Sequence, residues 1–315
     1  MQSSNRIELS DITSDDSKLG GVWGGPFYHP AFVDSAIKLL NLAGKASYIN
    51  IDGNCAGIIN LLCHKKLGIR VASTPLLFQY FGPSIFQSFS DEPIGSELDE
   101  LLRSYCDFAF FSLPPCGANL ELSRDWKVIN TFTLAITEPG LMNWGNGFRD
   151  DVKNKIRKAS RENIHIAEVN KLPTELWRTT FARRKMPPPV RPELLEQWAN
   201  SLISKSLLRV YVAEIDGAAV AFRGELILGR YAYDWLAGSD PKFHATGANQ
   251  LLMAEIGAAL SKLGLMAWDL VGGEIKSIVD FKKSFGASEI PHIHAWRSFN
   301  IRGEMFSRLR RLKHG

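Results

Sequence analysis

Apolar and polar positions alternate along two stretches of the chain, and each stretch is interrupted by an Asp-Gly pair. The first pair is Asp52-Gly53 and the second is Asp216-Gly217. Asp-Gly supplies the positive φ angles of a two-residue turn, so each stretch predicts a β-hairpin. The two hairpins lie about half the chain apart, which indicates two halves of similar organisation.

A helix and then a strand are predicted after both hairpins. Residues 97–113 carry this pattern in the first half and residues 247–271 carry it in the second. The helix of the second half has apolar residues at helical spacing, namely Leu252, Ile256, Ala259 and Leu263, with Thr246 to cap its start and Gly264 to end it. The repeat predicts an α/β fold of the α+β type, with two related domains. Each domain is expected to be a mixed, largely antiparallel sheet flanked by helices.

Two basic amphipathic helices are predicted outside this repeat. Between the halves, Lys153, Arg157 and Arg161 fall four residues apart on one helical face, either as a solvated surface or as a site for phosphate groups. Residues 301–315 form the second basic helix, which either docks on the protein or contacts an anionic partner such as RNA or a membrane surface.

Composition places the chain among globular proteins, with 45% hydrophobic and 22% charged residues. The formal net charge of +4 permits a nucleic-acid partner without requiring one. The first twenty residues are polar and acidic, and no apolar run approaches the roughly 18 residues that span a bilayer. A cytoplasmic protein is therefore expected, and its four cysteines, which lack C-x-x-C spacing, are expected to be free thiols.

Lys282 and Lys283 stand between two aromatic residues, Phe281 and Phe285, and Gly286 follows directly. A lysine pair among apolar neighbours differs from a run of solvated charges. The pattern indicates that one ammonium group is held in place and directed at another group.

Small residues precede the predicted helix of the second half, where Gly247, Ala248 and Asn249 form its entry. Such residues let backbone N–H groups approach an anion, and the helix N-terminus adds partial positive charge. Glycine is also common at helix starts for purely local reasons. A phosphate or pyrophosphate site is the functional hypothesis for this loop.

The strand after the second hairpin places Tyr233 and Asp234 on opposite faces. An acid among apolar neighbours near a strand end is a candidate for a raised pKa and for proton transfer. The alternative is a hydrogen-bonded structural carboxylate, and Asp269 invites the same argument with less support. His292 and His294 lie two residues apart without a third ligand nearby in sequence, so no metal is expected.

Several motifs together resemble one family. They are RDDVKNKIRKA, then AGSDP, GANQLLMAEI, WDLVGG and finally FKKSFGA. In this order they are similar to the Fem peptidyltransferases and their FemAB-like relatives, which are tandem members of the GCN5-related N-acetyltransferase (GNAT) fold. The resemblance covers most of the chain and is strongest over residues 149–162 and 231–287.

The resemblance implies transfer of an acyl or aminoacyl group from an activated donor to an amine. Phe281 and Lys282 match the family's FK pair, whose lysine is associated with substrate binding and charge stabilisation. Arg184 lies roughly where the family carries a basic acceptor-binding residue, and Tyr233 and Arg157 are further substrate-binding candidates. Fem enzymes carry a substrate-facing tyrosine at about the position of Asp234. This chain differs from them there, which argues against a peptidoglycan peptide as its acceptor.

The sequence thus predicts an N-acyltransferase that works by direct attack in a cleft between two GNAT-like domains, residues 1–147 and 148–300, followed by the basic helix. Lys282 is expected to stabilise the oxyanion and Asp234 to accept the amine proton. The donor is acyl-CoA or an acyl carrier thioester as co-substrate, with no tightly bound cofactor. A small molecule, sugar or peptide supplies the amine. The alternatives are an aminoacyl-tRNA-dependent enzyme of the Fem type and a non-catalytic ligand-binding GNAT module.

Overall fold

The chain is organised in two compact units. One comprises Met1–Phe132 with Pro291–Gly315, and the other comprises Thr133–Ile290. The computed structural model describes residues 7–13, 17–86, 89, 95–115, 122–183, 185–272 and 275–314. These unit boundaries differ from the domain boundaries predicted from the sequence, because the segment after Ile290 belongs to the first unit.

The first unit is built on a sheet with helices beside it. Its strands are β1 (Ile7–Asp11), β2 (Ala43–Ile51), β3 (Asn54–Lys66), β4 (Ile69–Ser73), β5 (Pro83–Ile85) and β6 (Phe108–Leu113), with most of β13 (Ser288–Ser298). Its helices are α1 (Pro30–Leu40), α2 (Gly95–Tyr105) and α9 (Ile301–His314). The strand order is β1-β2-β3-β4-β6-β13, with β5 on β3. The β4–β6 pair is parallel, and the other pairs within this sheet are antiparallel.

The second unit repeats this plan. Its strands are the end of β7 (Lys127–Thr137), β8 (His165–Val169), β9 (Leu208–Ile215), β10 (Ala218–Leu228), β11 (Tyr231–Ser239) and β12 (Ala267–Asp269). Its helices are α3 (Glu138–Met142), α4 (Asp150–Arg161), α5 (Thr174–Ala182), α6 (Pro192–Ser204), α7 (Ala248–Leu260) and α8 (Lys276–Lys283). The strand order is β7-β12-β11-β10-β9-β8, and only the β11–β12 pair among these is parallel.

The internal repeat predicted from the sequence is confirmed. Asp52-Gly53 joins β2 to β3, and Asp216-Gly217 joins β9 to β10, all four residues having positive φ. Each hairpin is followed by a strand, a helix and a parallel partner strand: β4, α2 and β6 in the first unit, and β11, α7 and β12 in the second. Both sheets are mixed and largely antiparallel, as expected.

The helical pattern of α7 extends less far than its sequence spacing indicated. Leu252 and Ile256 are fully buried, but the α-helix ends at Leu260 and a short 3₁₀ turn follows. Leu263 is exposed, so its assignment to the apolar face of this helix was wrong.

Helix α9 docks on the first unit. The ring of Phe306 lies 5.1 Å from that of Phe108, and both pack with Ile69 and Val71. Gly303 permits this approach, because a Cβ at that position would lie 1.9 Å from the carbonyl oxygen of Asp107. Within the described residues, no helix has the length and apolarity required to span a membrane.

Candidate active site

The parallel strands β11 and β12 of the second unit remain paired for only a short distance. Their register joins Tyr231–Tyr233 to Ala267–Asp269. Beyond that point β12 ends, whereas β11 continues to Ser239. Ligands of open α/β sheets bind outside the carboxyl ends of parallel strands, so the end of β12 is where a site is expected.

The turn that follows β12 has an unusual backbone. Val271 and Gly272 both have positive φ, at 57° and 55°. For a β-branched residue such as Val271 this conformation is an outlier, and it persists only where neighbouring groups hold it. Asp269 supplies one such contact, because its Oδ1 accepts hydrogen bonds from Val271 N–H at 2.8 Å and from the Thr133 hydroxyl at 2.6 Å.

Lys282 supplies the other contact to this turn. It lies in the last turn of α8 with a relative exposure of 7%, and its Nζ donates to the carbonyl oxygens of Val271 and, at 3.2 Å, of Gly272. Burial lowers the pKa of Lys282 to about 8, against the opposing effect of the Asp234 carboxylate. The buried ring of Phe285 packs with that of Phe281 at 5.2 Å, so both aromatic neighbours anchor this end of α8.

A buried ion pair lies beside this lysine. Arg223 of β10 donates through Nη1 to Oδ2 of Asp234 on β11, and both side chains are almost entirely removed from solvent. The same guanidinium lies 5.5 Å from the ring centroid of Phe281 and makes a long 3.5 Å hydrogen bond to Oδ1 of Asn249. Arg223 therefore connects two strands with the ends of α7 and α8.

Glu225 completes the cluster from the strand next to Asp234. The two residues are direct partners in the β10–β11 register, just after a bulge at Gly224. Glu225 is fully buried, and its Oε2 accepts a 2.7 Å hydrogen bond from the indole N–H of Trp268. Burial, reinforced by the Asp234 charge, raises the pKa of Glu225 well above its ordinary value, which favours the neutral acid.

Four of the residues chosen from the sequence come together in this cluster. Asp234, Phe281 and Asn249 all contact Arg223, and Lys282 lies near enough for the Asp234 charge to raise its pKa. The site thus combines an ammonium, a carboxylate and an aromatic ring where β12 ends. The roles assigned to these residues stay predictions.

The other predicted site residues lie away from this cluster or outside the described residues. Tyr233 is fully buried in β11, and Gly247 and Ala248 are buried at the start of α7. A Cβ on Gly247 would lie 2.6 Å from the carbonyl oxygen of Lys155 in α4, so close helix packing already requires glycine there. Arg184 lies outside the described residues.

Arg157 belongs to a separate basic pocket on the exposed face of α4. The pocket has a volume of about 300 Å³ and is lined by Asn154, Arg157, Lys158, Arg161 and Glu162. The Lys158 ammonium donates to the carbonyl oxygen of Ala245 at 3.0 Å. The basic pocket therefore lies beside the turn that leads into α7.

Arg223, Glu225 and the strain at Val271 were not predicted from the sequence. The first two carried a signal, because charged residues inside an apolar strand are seldom buried unless they are paired. In β10 they stand among residues that are almost all apolar. The positive φ of Val271 carried no such signal, since valine disfavours it.

Comparisons with known proteins agree with this architecture. Residues 146–283 match the family model described as "Acetyltransferase (GNAT) domain". No curated protein matches the chain. The crystal structure of FemX is similar over 96% of this chain and 99% of its own, with 13% identity and a TM-score of 0.71.

Two further solved structures share the fold. L-PGS from Bacillus licheniformis has 10% identity and a TM-score of 0.52, covering 95% of this chain and 96% of its own. A tandem GNAT protein from the clavulanic acid biosynthesis pathway has 10% identity and a TM-score of 0.50, covering 94% and 99%. The chain therefore has a GNAT acyltransferase fold, and the resemblance to FemAB-like tandem GNAT proteins is confirmed at the level of fold.

Proposed function

We propose that this protein is an N-acyltransferase that moves an acyl or aminoacyl group from an activated donor to an amine. The observation that carries the proposal is the buried Lys282, held at the end of β12 beside the Arg223–Asp234 pair. A preorganised cation in a site of low polarity stabilises developing negative charge far more strongly than it would in water.

The proposed reaction is a direct transfer. The amine nitrogen forms a bond to the donor carbonyl carbon, and the C–S bond of a thioester or the C–O bond of an aminoacyl ester breaks. The electron pair leaves with the sulfur or oxygen, and Lys282 stabilises the oxyanion formed in between. Asp234 accepts the amine proton through Oδ1, which has no hydrogen-bond partner among the described residues, and passes it to the leaving group.

The start of α7 fits the phosphate groups that an acyl-CoA donor would bring. The first-turn N–H groups of an α-helix lack intrahelical acceptors and carry partial positive charge. The Ala248 N–H already donates to the Thr246 hydroxyl at 3.2 Å, so those of Asn249 and Gln250 would meet a phosphate. The cations of the basic pocket lie beside the same turn and favour an anion there.

The open edge of β11 supports an extended donor as well. Past Tyr233, the edge of β11 that faces β12 pairs with no further strand in the described part of the second unit. Its backbone N–H and C=O groups suit the amide groups of a pantetheine-like arm, whether on CoA or on an acyl carrier protein. The acceptor is an amine on a small molecule, a sugar or a peptide.

The adjacent lysines provide a matched test of this proposal. Lys282→Ala should slow turnover by raising the activation free energy by about 2.7–4 kcal/mol, the range for removal of one oxyanion donor. Lys283→Ala should leave turnover nearly unchanged, because Lys283 is exposed and pairs with Glu289 at 2.6 Å. Acyl transfer is measured with CoA thioesters, acyl carrier thioesters and aminoacyl-tRNA as donors and a panel of amines as acceptors.

The pH dependence of the same reaction gives a second readout. Lys282 must be protonated to stabilise an oxyanion, so turnover should fall as the pH rises through about 8. Lys282→Arg should shift this descending limb to higher pH, because the guanidinium stays charged. Equal turnover of Lys282→Ala and Lys283→Ala, with both proteins folded, would contradict the assigned role.

A second candidate is an aminoacyl-tRNA-dependent transferase of the Fem type. The basic pocket favours it, since Arg157, Lys158 and Arg161 could meet successive phosphates. For that donor, Arg157→Gln together with Arg161→Gln should reduce the salt dependence of binding, by about one unit of slope per lost phosphate contact. Donor binding without acyl release under all conditions would instead indicate a non-catalytic module.

A further inference from the structure

Helix α9 carries a row of apolar side chains on the face that points away from the first unit. Ile301 is 73% exposed, and Met305 and Leu309 are each more than half exposed. These three residues, the apolar ridge, follow one another at intervals of four. Successive members are rotated by about 40°, so the ridge covers about 80° of the helix surface.

The opposite face of α9 is already occupied, so the ridge cannot turn inward. Gly303, Phe306 and Ser307 face the sheet of the first unit, and the Gly303 approach leaves no space for a Cβ. A helix without a packed face could rotate and bury its apolar residues. This one is fixed by its packed face and presents the ridge to the surroundings.

Cations border the ridge. Arg302 and Arg308 lie on its two sides and are exposed, and Arg308 makes a 4.0 Å contact with Glu304 that solvent screens. The sequence after Leu309 continues the basic character with RRLKH. An anionic membrane suits this arrangement, because the apolar side chains enter the boundary between headgroups and acyl chains and the arginines pair with the headgroups.

Another exposed apolar residue lies at the hairpin beside α9. Leu67 is 82% exposed at the β3–β4 turn, where it and Gly68 have φ of 53° and 76°. This conformation favours asparagine or glycine, so the fold keeps leucine where the backbone disfavours it. The preceding Lys66 places its ammonium 5.9 Å from the ring of Phe306, which sets the turn next to the helix.

From these observations we propose that the apolar ridge and Leu67 form a docking surface for a membrane containing anionic phospholipids. The width of the ridge favours a lipid over a groove in a partner protein, because core-facing helices present a stripe of at least about 100°. Exposed Lys65, Lys66, Arg302 and Arg308 supply the complementary charge. This surface belongs to the first unit, whereas the candidate active site belongs to the second unit. Membrane docking is therefore a property separate from the proposed activity.

Sedimentation of the full chain with lipid vesicles tests this proposal. Binding should be strong to phosphatidylcholine vesicles that contain phosphatidylglycerol and weak to phosphatidylcholine alone. Replacing the three ridge residues by serine should reduce the membrane partition coefficient at least about tenfold, and replacing Arg302 or Arg308 should reduce it about fivefold in each case. Met142→Ser is the control, because Met142 is 77% exposed in the second unit and should not contribute.

Leu67→Asn separates docking from folding. Asparagine suits the positive φ of this turn, so the variant should be at least as stable as the parent while binding vesicles several-fold less. Equal binding to vesicles with and without phosphatidylglycerol, or unchanged binding of the ridge variant, would overturn the proposal. So would a concentration-dependent dimer lost in the ridge variant, which would identify a second copy as the occupant. An RNA oligonucleotide bound through the arginines, with the ridge dispensable, would likewise replace the lipid.

Discussion

Two buried carboxyl groups of the second unit have different partners although they are neighbours across one strand pair. Asp234 is an ion-pair partner of Arg223, whereas Glu225, directly across the strand pair, has a strongly raised pKa. Burial and the neighbouring Asp234 charge raise the pKa of Glu225, whereas the Arg223 guanidinium donates its hydrogen bond to Asp234. The indole N–H of Trp268 donates to one oxygen of Glu225.

This difference predicts unequal effects of two amide substitutions. Asp234→Asn should lower the free energy of unfolding by about 3–5 kcal/mol, because it leaves Arg223 buried without a counter-charge. Glu225→Gln should cost less than about 1 kcal/mol, since glutamine replaces a neutral acid and keeps an acceptor for Trp268. Urea unfolding at neutral pH measures both. Comparable losses would mean that Glu225 is ionised in the folded protein.

At the scale of elements, close packing of α7 fixes glycine at a position where helix propensity would favour alanine. A Cβ on Gly257 would lie 2.1 Å from the ring of Trp144. That ring is held in place, because its Nε1 donates to the carbonyl oxygen of Ala254 at 2.8 Å. The Trp144 ring also packs with the rings of Phe148 and Phe285, and these contacts connect α7 to the end of α8.

Gly257→Ala should therefore destabilise the protein, by about 1–3 kcal/mol. The sign is informative, because the same change in an uncrowded helix stabilises by about 0.5–1 kcal/mol. In the double variant with Trp144→Leu, which removes the obstructing ring, the alanine should cost less than it does alone. Thermal and urea unfolding of the four proteins give this cycle. Additive losses would show that the ring is not the obstacle.

Across the whole molecule, buried ionisable groups of the two units respond to pH in opposite directions. In the first unit, burial lowers the pKa of His292 to about 4, with a further contribution from His294. The unfolded chain binds more protons at this position between pH 4 and 6.5, so stability from His292 is lost as the pH falls through this window. The raised pKa of Glu225 has the opposite sign, because the folded state then holds the extra proton.

His292 should thus make the protein sensitive to mild acid. Its contribution to the free energy of unfolding, up to about 3 kcal/mol at pH 7, should disappear as the pH approaches 4. His292→Gln should flatten the rise of the urea midpoint with pH in this window, whereas the exposed His165→Gln should leave it unchanged. An equally steep rise in His292→Gln would assign the acid sensitivity to other groups.

Local patterns were sufficient to predict much of the architecture. Both Asp-Gly turns, the repeated strand-helix-strand order and the existence of the C-terminal helix follow from spacing and turn chemistry, which act over a few residues. The burial of Lys282 was also accessible, because its aromatic neighbours are adjacent in sequence. Leu263 marks the limit of this approach, since periodicity does not show where a helix stops.

The sequence by itself determined the kind of elements, their repetition and a lysine set among apolar anchors, because these depend on neighbouring residues. Only the tertiary structure decided that Asp234 pairs with Arg223, that Glu225 lies beside this pair with a raised pKa, and that Val271 turns its carbonyl to Lys282. Each of these depends on strands and helices that are distant in sequence and share a low-polarity interior. There the state of one charge is set by whichever other charges the fold brings beside it.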